Sequence, residues 1–435
     1  MKRSVITSLA TGLLVAALGA CTGSFEARNP VLLVVGYSSD AGGRVALIKD
    51  RFGEVGTVDE QLEFLPGSVR NLPAPAVDYD VIDRERARAT LVVLSRAPAV
   101  GGGATGYLNL FSLRAIDPAN PLAFSPEGAF TISNAPGDVE IVPDTLRGRN
   151  PAFCPVSVQV TQTRAFAAVF NEPSVCGGQG QPSIDLFDLR GAQLRLLQRL
   201  TTGGAGDGGV GGGSFLESGG DIYLSQSPTR DLLYYAVRVP GGLRLEQATM
   251  PRPGGAFGAD DRVPVTDIAE VTARAAQGGF VDLGRAGVPG DERLVVLFED
   301  ALASVAGFEG GSVEDAVTPV ETERENAFII RDDRRETDGT LLVSTPAAQR
   351  FSYVPVSVDD ETPAIEDARV DAVDAVIEPT FGFVYFVAPG QVSIFDLGSY
   401  DVGESLRNPR AIPVPELAGA APSFVTWTQA APVIP

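Results

Sequence analysis

Short alternating segments that recur along the chain are the feature that most limits its fold. The three clearest copies are LNLFSL at residues 108–113, IDLFDL at 184–189 and VSIFDL at 392–397. Each alternates apolar and polar side chains and then ends in Phe-Ser-Leu or Phe-Asp-Leu. A period of two is typical of a β-strand with one buried face. These segments therefore predict an all-β protein built from repeated strands.

The segments that precede these copies also match one another. RATLVVL precedes the first copy, RAFAAVF precedes the second, and FGFVYFV precedes the third after a shorter gap. Leu94 lies 14 residues before Leu108, and Phe170 lies 14 residues before Ile184. The repeated unit is therefore a strand, a turn, a strand, a loop and a further strand.

Seven copies of this unit fit the chain, with starts near residues 31, 80, 156, 221, 280, 327 and 372. The first copy lacks an initial strand, and residues 423–428 form a lone strand that contains Trp427. Pairing these two ends would leave no open sheet edge and would bury Trp427. We predict a single β-propeller over residues 30–435, with seven four-stranded blades closed by the N- and C-terminal strands. Six blades, eight blades and paired β-sandwich domains are the alternatives.

One hairpin carries a family resemblance. SPTRDLLYYA, within residues 221–237, resembles the SPDGRYLYVA-like hairpin of YVTN-type and surface-layer β-propeller repeats. The xFDL strands are similar to the same repeats, although the Asp-Gly turn of that family is missing at most copies. The resemblance implies a propeller. It also extends to lactonase-like propellers, which commonly use histidine or a metal cluster.

The N-terminus resembles that of a bacterial lipoprotein. A positive start and an apolar stretch over residues 5–18 lead into Leu-Gly-Ala-Cys, which is similar to the lipobox. The resemblance implies a lipoprotein signal peptide at residues 1–20, lipid on Cys21, and a tether at residues 21–29. Several acyl chains on one residue give stable anchoring. The alternative is an ordinary signal peptide with a chance cysteine.

This leader predicts location. Thr22 follows the cysteine, and the lack of Asp at that position is similar to the class sorted to the outer membrane in diderm bacteria. We expect an extracytoplasmic protein that is lipid-anchored to a bacterial membrane. The net charge of −21 disfavours nucleic acid as a partner, because phosphates repel such a chain. The expected partners are the membrane, through the lipid on Cys21, and envelope proteins.

Histidine is absent from the sequence. Catalytic triads with histidine and histidine-ligated zinc are therefore excluded. Carboxylate chemistry stays open, and Asp78, Asp80 and Asp83 lie before or within a predicted first strand, where paired carboxylates could act on a sugar. The alternative places these side chains in water along a central channel and its loops.

Cys154 and Cys176 form an even pair in a chain that we expect to be exported. They flank a predicted hairpin with strands at residues 156–160 and 165–170. Such a pair indicates a disulfide. Closing a loop of this length stabilises the folded protein by about 3 kcal/mol. Two free thiols and a metal-binding pair are the alternatives.

Two further segments have compositions that are found in ligand-binding loops. Residues 359–378 hold eight carboxylates, and Asp359, Asp360 and Glu361 are the residues that we consider for Ca²⁺. A solvated acidic surface explains the same run, so no cofactor is predicted beyond this open calcium site. The glycine-rich residues 201–214 lack the Lys-Ser/Thr pair of a phosphate loop and are interpreted as a linker.

These observations favour a non-catalytic binding or scaffold protein of the bacterial envelope, with a ligand that the sequence does not specify. A rigid ring with long loops offers large surfaces and needs no special chemistry. The alternative is a carboxylate-dependent hydrolase or lyase that acts on a sugar or a lactone.

Overall fold

The computed structural model describes part of the chain between residues 31 and 429. The described residues are 31–40, 42–51, 61–82, 90–98, 104–113, 126–132, 154–161, 166–178, 180–189, 195–201, 215–216, 222–226, 231–239, 242–250, 262–264, 280–288, 291–298, 302–306, 326–328, 340–345, 350–355, 368–369, 373–378, 383–396 and 410–429. The predicted signal peptide, Cys21, the tether, Asp83 and the calcium residues Asp359, Asp360 and Glu361 lie outside them.

Strands make up almost all of the regular structure in these residues. The strands are β1 (Val31–Ser39), β2 (Gly42–Asp50), β3 (Leu62–Asn71), β4 (Ala76–Ile82), β5 (Thr90–Pro98), β6 (Ala104–Ser112), β7 (Pro126–Ile132), β8 (Pro155–Val160), β9 (Phe166–Asn171), β10 (Ser183–Asp188), β11 (Arg195–Leu200), β12 (Phe215–Leu216), β13 (Ile222–Gln226), β14 (Asp231–Val239), β15 (Gly242–Thr249), β16 (Arg262–Pro264), β17 (Phe280–Val288), β18 (Asp291–Phe298), β19 (Leu302–Ala306), β20 (Asn326–Phe328), β21 (Thr340–Thr345), β22 (Arg350–Pro355), β23 (Ala368–Arg369), β24 (Asp374–Glu378), β25 (Phe383–Ala388), β26 (Gln391–Asp396), β27 (Arg410–Pro413) and β28 (Ala421–Gln429). Short 3₁₀ turns occupy Pro173–Cys176 and Pro415–Leu417. None of the helices in the described residues has the length and apolar character needed to span a bilayer.

The described strands form seven antiparallel sheets, which confirms the all-β prediction. We number them in chain order: sheet 1 (β28, β1, β2, β3), sheet 2 (β4 to β7), sheet 3 (β8 to β11), sheet 4 (β12 to β16), sheet 5 (β17 to β19), sheet 6 (β20 to β23) and sheet 7 (β24 to β27). Their first residues in the chain are 31, 76, 155, 215, 280, 326 and 374. Each sheet therefore begins within a few residues of a repeat start predicted from the sequence.

Strand register explains the equal spacing of the repeats. Leu94 of β5 lies opposite Leu108 of β6, and Phe170 of β9 lies opposite Ile184 of β10. A separation of 14 residues thus places the same two strands of sheets 2 and 3 in the same alignment. The alternation of apolar and polar residues within a strand, together with the 14-residue separation from its partner, therefore specifies the register of these two strands.

Two sheets depart from the predicted count of four strands. Sheet 5 has three strands among the described residues, and sheet 4 has five. In sheet 4, β12 pairs with residues 237–238 of β14, and β13 pairs with residues 231–235 along the same edge. The glycine-containing stretch ESGGD separates β12 from β13, so two short strands fill the place of one.

Sheet 1 contains both ends of the described chain. β28 pairs antiparallel with β1, from Val31 opposite Gln429 to Ser38 opposite Ala421. The pairing of terminal strands is therefore as predicted. Trp427 is buried in the adjoining hydrophobic cluster, which confirms its prediction as a core residue.

The hydrophobic core consists of layers between successive sheets. Separate clusters of buried apolar residues lie between sheets 7 and 1, sheets 1 and 2, sheets 2 and 3, and sheets 3 and 4. In β5, Leu91 and Val93 face sheet 1, whereas Val92 and Leu94 face sheet 3. The same holds in β6, where Leu108 faces sheet 3 and Phe111 faces sheet 1. The prediction of one buried face for LNLFSL is therefore wrong, because a sheet between two others is covered on both sides.

The first strand of one sheet contacts the first strand of the next, and in sheet 4 this position is taken by β13, which lies beside β14 on the same edge as β12. β4 contacts β8, β8 contacts β13, β13 contacts β17, and β17 contacts β20. β28, which forms the edge of sheet 1, contacts both β24 and β4. These contacts bring one edge of each of these sheets towards its neighbours.

Candidate functional site

The two described aspartates that we considered for catalysis bind backbone groups of the neighbouring sheet. Asp78 and Asp80 of β4 accept hydrogen bonds from the N–H groups of Val158 and Val160 in β8, each at 2.7 Å. Asp80 is only 2% exposed, so the expectation that it lies in water along a channel is wrong. These carboxylates cap N–H groups along an edge strand, which would otherwise be open for pairing.

The same arrangement recurs between other sheets. Gln159 of β8 accepts the N–H of Leu224 in β13 at 3.3 Å. Asp374 of β24 accepts the N–H of Val425 in β28 at 2.8 Å. An acceptor on the first strand of one sheet thus binds the edge of the next sheet in three places around the molecule. In the sequence, Asp and Gln stand out within otherwise apolar first strands, but this pattern does not specify whether the side chain meets water or a neighbouring sheet.

Two further buried carboxylates contact tyrosines. Asp50 accepts a hydrogen bond from Tyr385 Oη at 2.6 Å and another from Gln61 Nε2 at 2.9 Å. Glu246 accepts one from Tyr235 Oη at 3.1 Å. The Asp50 contact joins sheet 1 to sheet 7, whereas the Glu246 contact lies between paired strands of sheet 4. Hydrogen bonding of this kind is what permits a carboxylate to be buried.

Sheet 3 holds a buried ion pair. Asp185 is fully buried and binds Arg199 through two hydrogen bonds of 2.6 and 2.7 Å. Asn171 Nδ2 donates a third bond to Asp185 at 3.0 Å. Burial alone would lower the pKa of Arg199, but the hydrogen bonds and negative charge of Asp185 outweigh it, so the pKa is raised. The pair joins β10 to β11 within sheet 3 and acts as a structural support.

The predicted disulfide is present. Cys154 and Cys176 are bonded, with their Cα atoms 5.9 Å apart. Cys154 is fully buried at the start of β8, whereas Cys176 is partly exposed in the 3₁₀ turn Pro173–Cys176 between β9 and β10. The N–H of Glu172 donates to the Cys154 carbonyl at 2.9 Å. The bridge therefore fastens an exposed turn to a buried strand end.

An arginine from the neighbouring sheet lies against this disulfide. Arg96 of β5 donates from Nη1 to Cys154 Sγ at 3.3 Å and to the Pro155 carbonyl at 3.0 Å. Burial lowers the pKa of Arg96 below its usual range. We call Arg96, Cys154, Pro155, Glu172 and Cys176 the arginine–disulfide corner. In this corner a guanidinium contacts one sulfur of the disulfide, and the backbone of Glu172 contacts the same cysteine.

A chain of backbone contacts locates this corner on the molecule. Leu72 N–H donates to the Gly43 carbonyl at 2.8 Å, next to the β1–β2 turn, and Arg96 N–H donates to the Pro75 carbonyl at 3.0 Å. Arg96 in turn contacts Pro155. We call this end of the sheets the disulfide face. The start of β1 and the end of β28 lie at the opposite end of sheet 1.

Sequence reasoning missed Arg96 altogether, because its role depends on a partner 58 residues later in the chain. Asp185 did carry a signal, since it occupies an alternating position within IDLFDL, flanked by apolar residues. Within the part of the chain that the structure describes, no group of three or more His, Cys, Asp or Glu side chains is placed to hold a metal ion. The calcium hypothesis for Asp359, Asp360 and Glu361 falls on residues outside that part.

Comparison with known proteins gives a similarity of fold. No family model matches the chain, and no curated protein sequence matches it. The fold is similar to that of a candidate 6-phosphogluconolactonase from Bacteroides uniformis ATCC 8492, with a TM-score of 0.52 and 10% sequence identity. That similarity covers 92% of this chain and 100% of the other chain. At such low identity it concerns the fold alone.

Two other solved structures are more distant. The complex of the fission yeast SREBP–SCAP binding domains has a TM-score of 0.39, at 8% identity, over 77% of this chain and 72% of that chain. The exo-β-1,3-galactanase 1,3Gal43A from Clostridium thermocellum has a TM-score of 0.40, at 9% identity, over 78% of this chain and 82% of that chain. Similarities at this level carry no argument about fold or activity.

Proposed function

We propose that the seven sheets are the blades of one β-propeller, closed by β28 in sheet 1. Three observations support this arrangement: the contacts between successive first strands, the apolar layers between successive sheets, and the shared fold with a lactonase of the propeller type. The step from β20 to β24 rests on chain order alone. A propeller of this kind leaves only short, protected sheet edges.

The protein is proposed to be a lipoprotein that is held at a bacterial membrane through Cys21. The lipobox-like sequence supports the anchor, and the short spacer before β1 keeps the ring close to the bilayer, since a chain spans at most about 3.6 Å per residue. β1 begins at the end of sheet 1 opposite the disulfide face. The disulfide face therefore points away from the membrane, towards other proteins of the envelope.

Binding, without catalysis, is the role proposed for this face. The observation that carries the proposal is the use of the buried carboxylates. Asp78 and Asp80 are engaged by backbone N–H groups, Asp185 by Arg199, and Asp50 by Tyr385. A general acid or base must reach the substrate with a lone pair or a proton. These carboxylates instead join strands and sheets.

Site-specific cross-linking in cells tests this proposal. A photo-reactive residue replaces Val175, which is 56% exposed on the disulfide face, and in a matched control it replaces Glu63, which is exposed near the other end of sheet 1. We expect a discrete adduct with an envelope protein from position 175, and none from position 63. The proposal fails if both positions give the same adducts, or if neither gives one.

The alternative function is lactone or glycoside hydrolysis, and the one observation that favours it is the fold shared with a candidate 6-phosphogluconolactonase. The purified protein should then hydrolyse 6-phosphogluconolactone or a member of a glycoside panel faster than buffer alone. We expect no turnover. If turnover is seen and is lost when Asp78, Asp80 or Asp83 is replaced by Asn, the binding role is wrong and the protein is an enzyme.

A further inference from the structure

The two sulfur atoms of the disulfide lie in unlike surroundings. Cys154 is 0% exposed and directly precedes β8, the edge strand of sheet 3 that contacts β4 of sheet 2. Cys176 is partly exposed, and its neighbours Val175 and Gly177 are exposed. We therefore expect a nucleophile from solvent to attack Cys176, because Cys154 is closed to solvent.

A cation contacts the buried sulfur. The guanidinium of Arg96 donates a hydrogen bond to Cys154 Sγ, and among the described residues its other acceptor is the neutral carbonyl of Pro155. The Glu172 carboxylate accepts a hydrogen bond from Ser174 Oγ at 2.6 Å. A half-buried guanidinium beside a sulfur atom stabilises the thiolate form of that sulfur, because a charge-assisted hydrogen bond forms as negative charge develops.

We propose that the Cys154–Cys176 disulfide is a thiol-exchange site, attacked at Cys176 by a small thiol from solvent, with Cys154 as the leaving group. The attacking thiolate forms a new S–S bond to Cys176 Sγ, and the Cys154–Cys176 bond breaks. Its electron pair goes to Cys154 Sγ, which departs as a thiolate paired with Arg96. A second thiolate then attacks the mixed disulfide, which releases a small-molecule disulfide and leaves the Cys176 thiolate to take a proton from water.

Opening the bridge has a local structural consequence. Arg96 continues to join sheet 2 to sheet 3 through Pro155 and the Cys154 thiolate. The turn Pro173–Cys176 loses its covalent link to β8 but keeps its own backbone hydrogen bonds. The element that is released is thus an exposed turn on the disulfide face, while the apolar layer between the sheets stays intact. Such a site makes the shape of this surface depend on the thiol content of its surroundings.

Timed reduction of the folded, full-length protein tests the proposal. Reduced glutathione and dithiothreitol are the probes, N-ethylmaleimide stops the reaction, and peptide mass spectrometry assigns the state of each cysteine separately. We expect the glutathione adduct on Cys176 and the free thiol on Cys154. We expect Arg96→Gln to slow reduction by roughly threefold to tenfold, because the leaving thiolate loses its cation. Arg96→Lys, which keeps the charge, should restore part of the rate.

Controls separate this effect from loss of structure. Arg70→Gln removes an arginine that donates to the Gly67 and Val69 carbonyls of its own strand in sheet 1, and it should leave the rate unchanged. Each variant is compared at a urea concentration where its fraction folded equals that of the wild type. The proposal is overturned if the glutathione adduct forms on Cys154, if Arg96→Gln is reduced as fast as the wild type, or if reduction occurs only at the rate of global unfolding.

Discussion

Gly36 of β1 lies opposite Phe424 of β28, where the first described strand pairs with the last. A Cβ atom added at this position would be 2.1 Å from Cε1 of Phe424. The Phe424 ring also stacks on Tyr79 of β4, with 4.6 Å between ring centroids, and Tyr79 Oη donates to the Val425 carbonyl at 3.1 Å. The absent side chain therefore makes room for an aromatic contact between sheets 1 and 2.

The substitution Gly36→Ala should lower the free energy of unfolding by about 1–3 kcal/mol, because the added methyl group overpacks this contact. Urea titration followed by tryptophan fluorescence measures the change, since Trp427 lies in the same strand as Phe424. Phe424→Leu in the Gly36→Ala background should recover part of the loss. If the two substitutions are simply additive, the clash with Phe424 is not the cause.

Asp185 and Arg199 allow a second test at the scale of residues. Arg199→Met leaves a fully buried carboxylate without its cation. We expect the free energy of unfolding to fall by about 3–5 kcal/mol. The double variant Asp185→Leu, Arg199→Met should be more stable than Arg199→Met alone, because it no longer buries an unpaired charge. A double variant that is less stable than either single variant would contradict this account. Thermal unfolding at neutral pH supplies the comparison.

Among the elements, strands were predictable where they carry a pattern of their own. The copies LNLFSL, IDLFDL and VSIFDL all became third strands of their sheets, namely β6, β10 and β26. The function of polar residues within strands was not predictable. Asp78 looks the same in sequence whether it faces water or the edge of β8, because the difference lies in a sheet that begins some 80 residues later.

First-strand acceptors should contribute measurably to the binding of one sheet to the next. Asp80→Ala leaves the buried N–H of Val160 without its acceptor, so we expect the free energy of unfolding to fall by about 1–3 kcal/mol. Amide hydrogen exchange at Val160 should also become faster. Asp40→Ala is the matched control, since Asp40 is exposed in the β1–β2 turn and should have almost no effect. Equal effects of the two substitutions would rule out a special role for the edge contact.

At the scale of the whole molecule, the arginine–disulfide corner shows why a site of this kind is hard to predict. The cysteines could be paired from their number and their position beside a hairpin. Arg96, which gives the two sulfurs different chemistry, comes from another sheet, and no local pattern marks it among the other arginines. A site assembled between repeats requires the packing of the repeats, which only the folded structure supplies.

The pairing of β28 with β1 predicts that the stability of the protein depends on β28. Deleting residues 421–435 removes β28 and uncovers the edge of β1, where Leu32, Leu33 and Val34 are fully buried. We expect loss of the cooperative unfolding transition, together with aggregation. Deleting residues 430–435 keeps the whole of β28 and serves as the control. A cooperative transition at the temperature of the full-length protein in the 421–435 deletion would argue against closure.

The pairing of Val31 with Gln429 also has a consequence for how the protein is made. During synthesis, β1 is made long before β28, the strand with which it pairs. Such contacts between distant parts of a chain slow folding and leave hydrophobic edges exposed to other molecules in the meantime. The nascent chain should therefore bind holding chaperones until β28 is available to pair with β1.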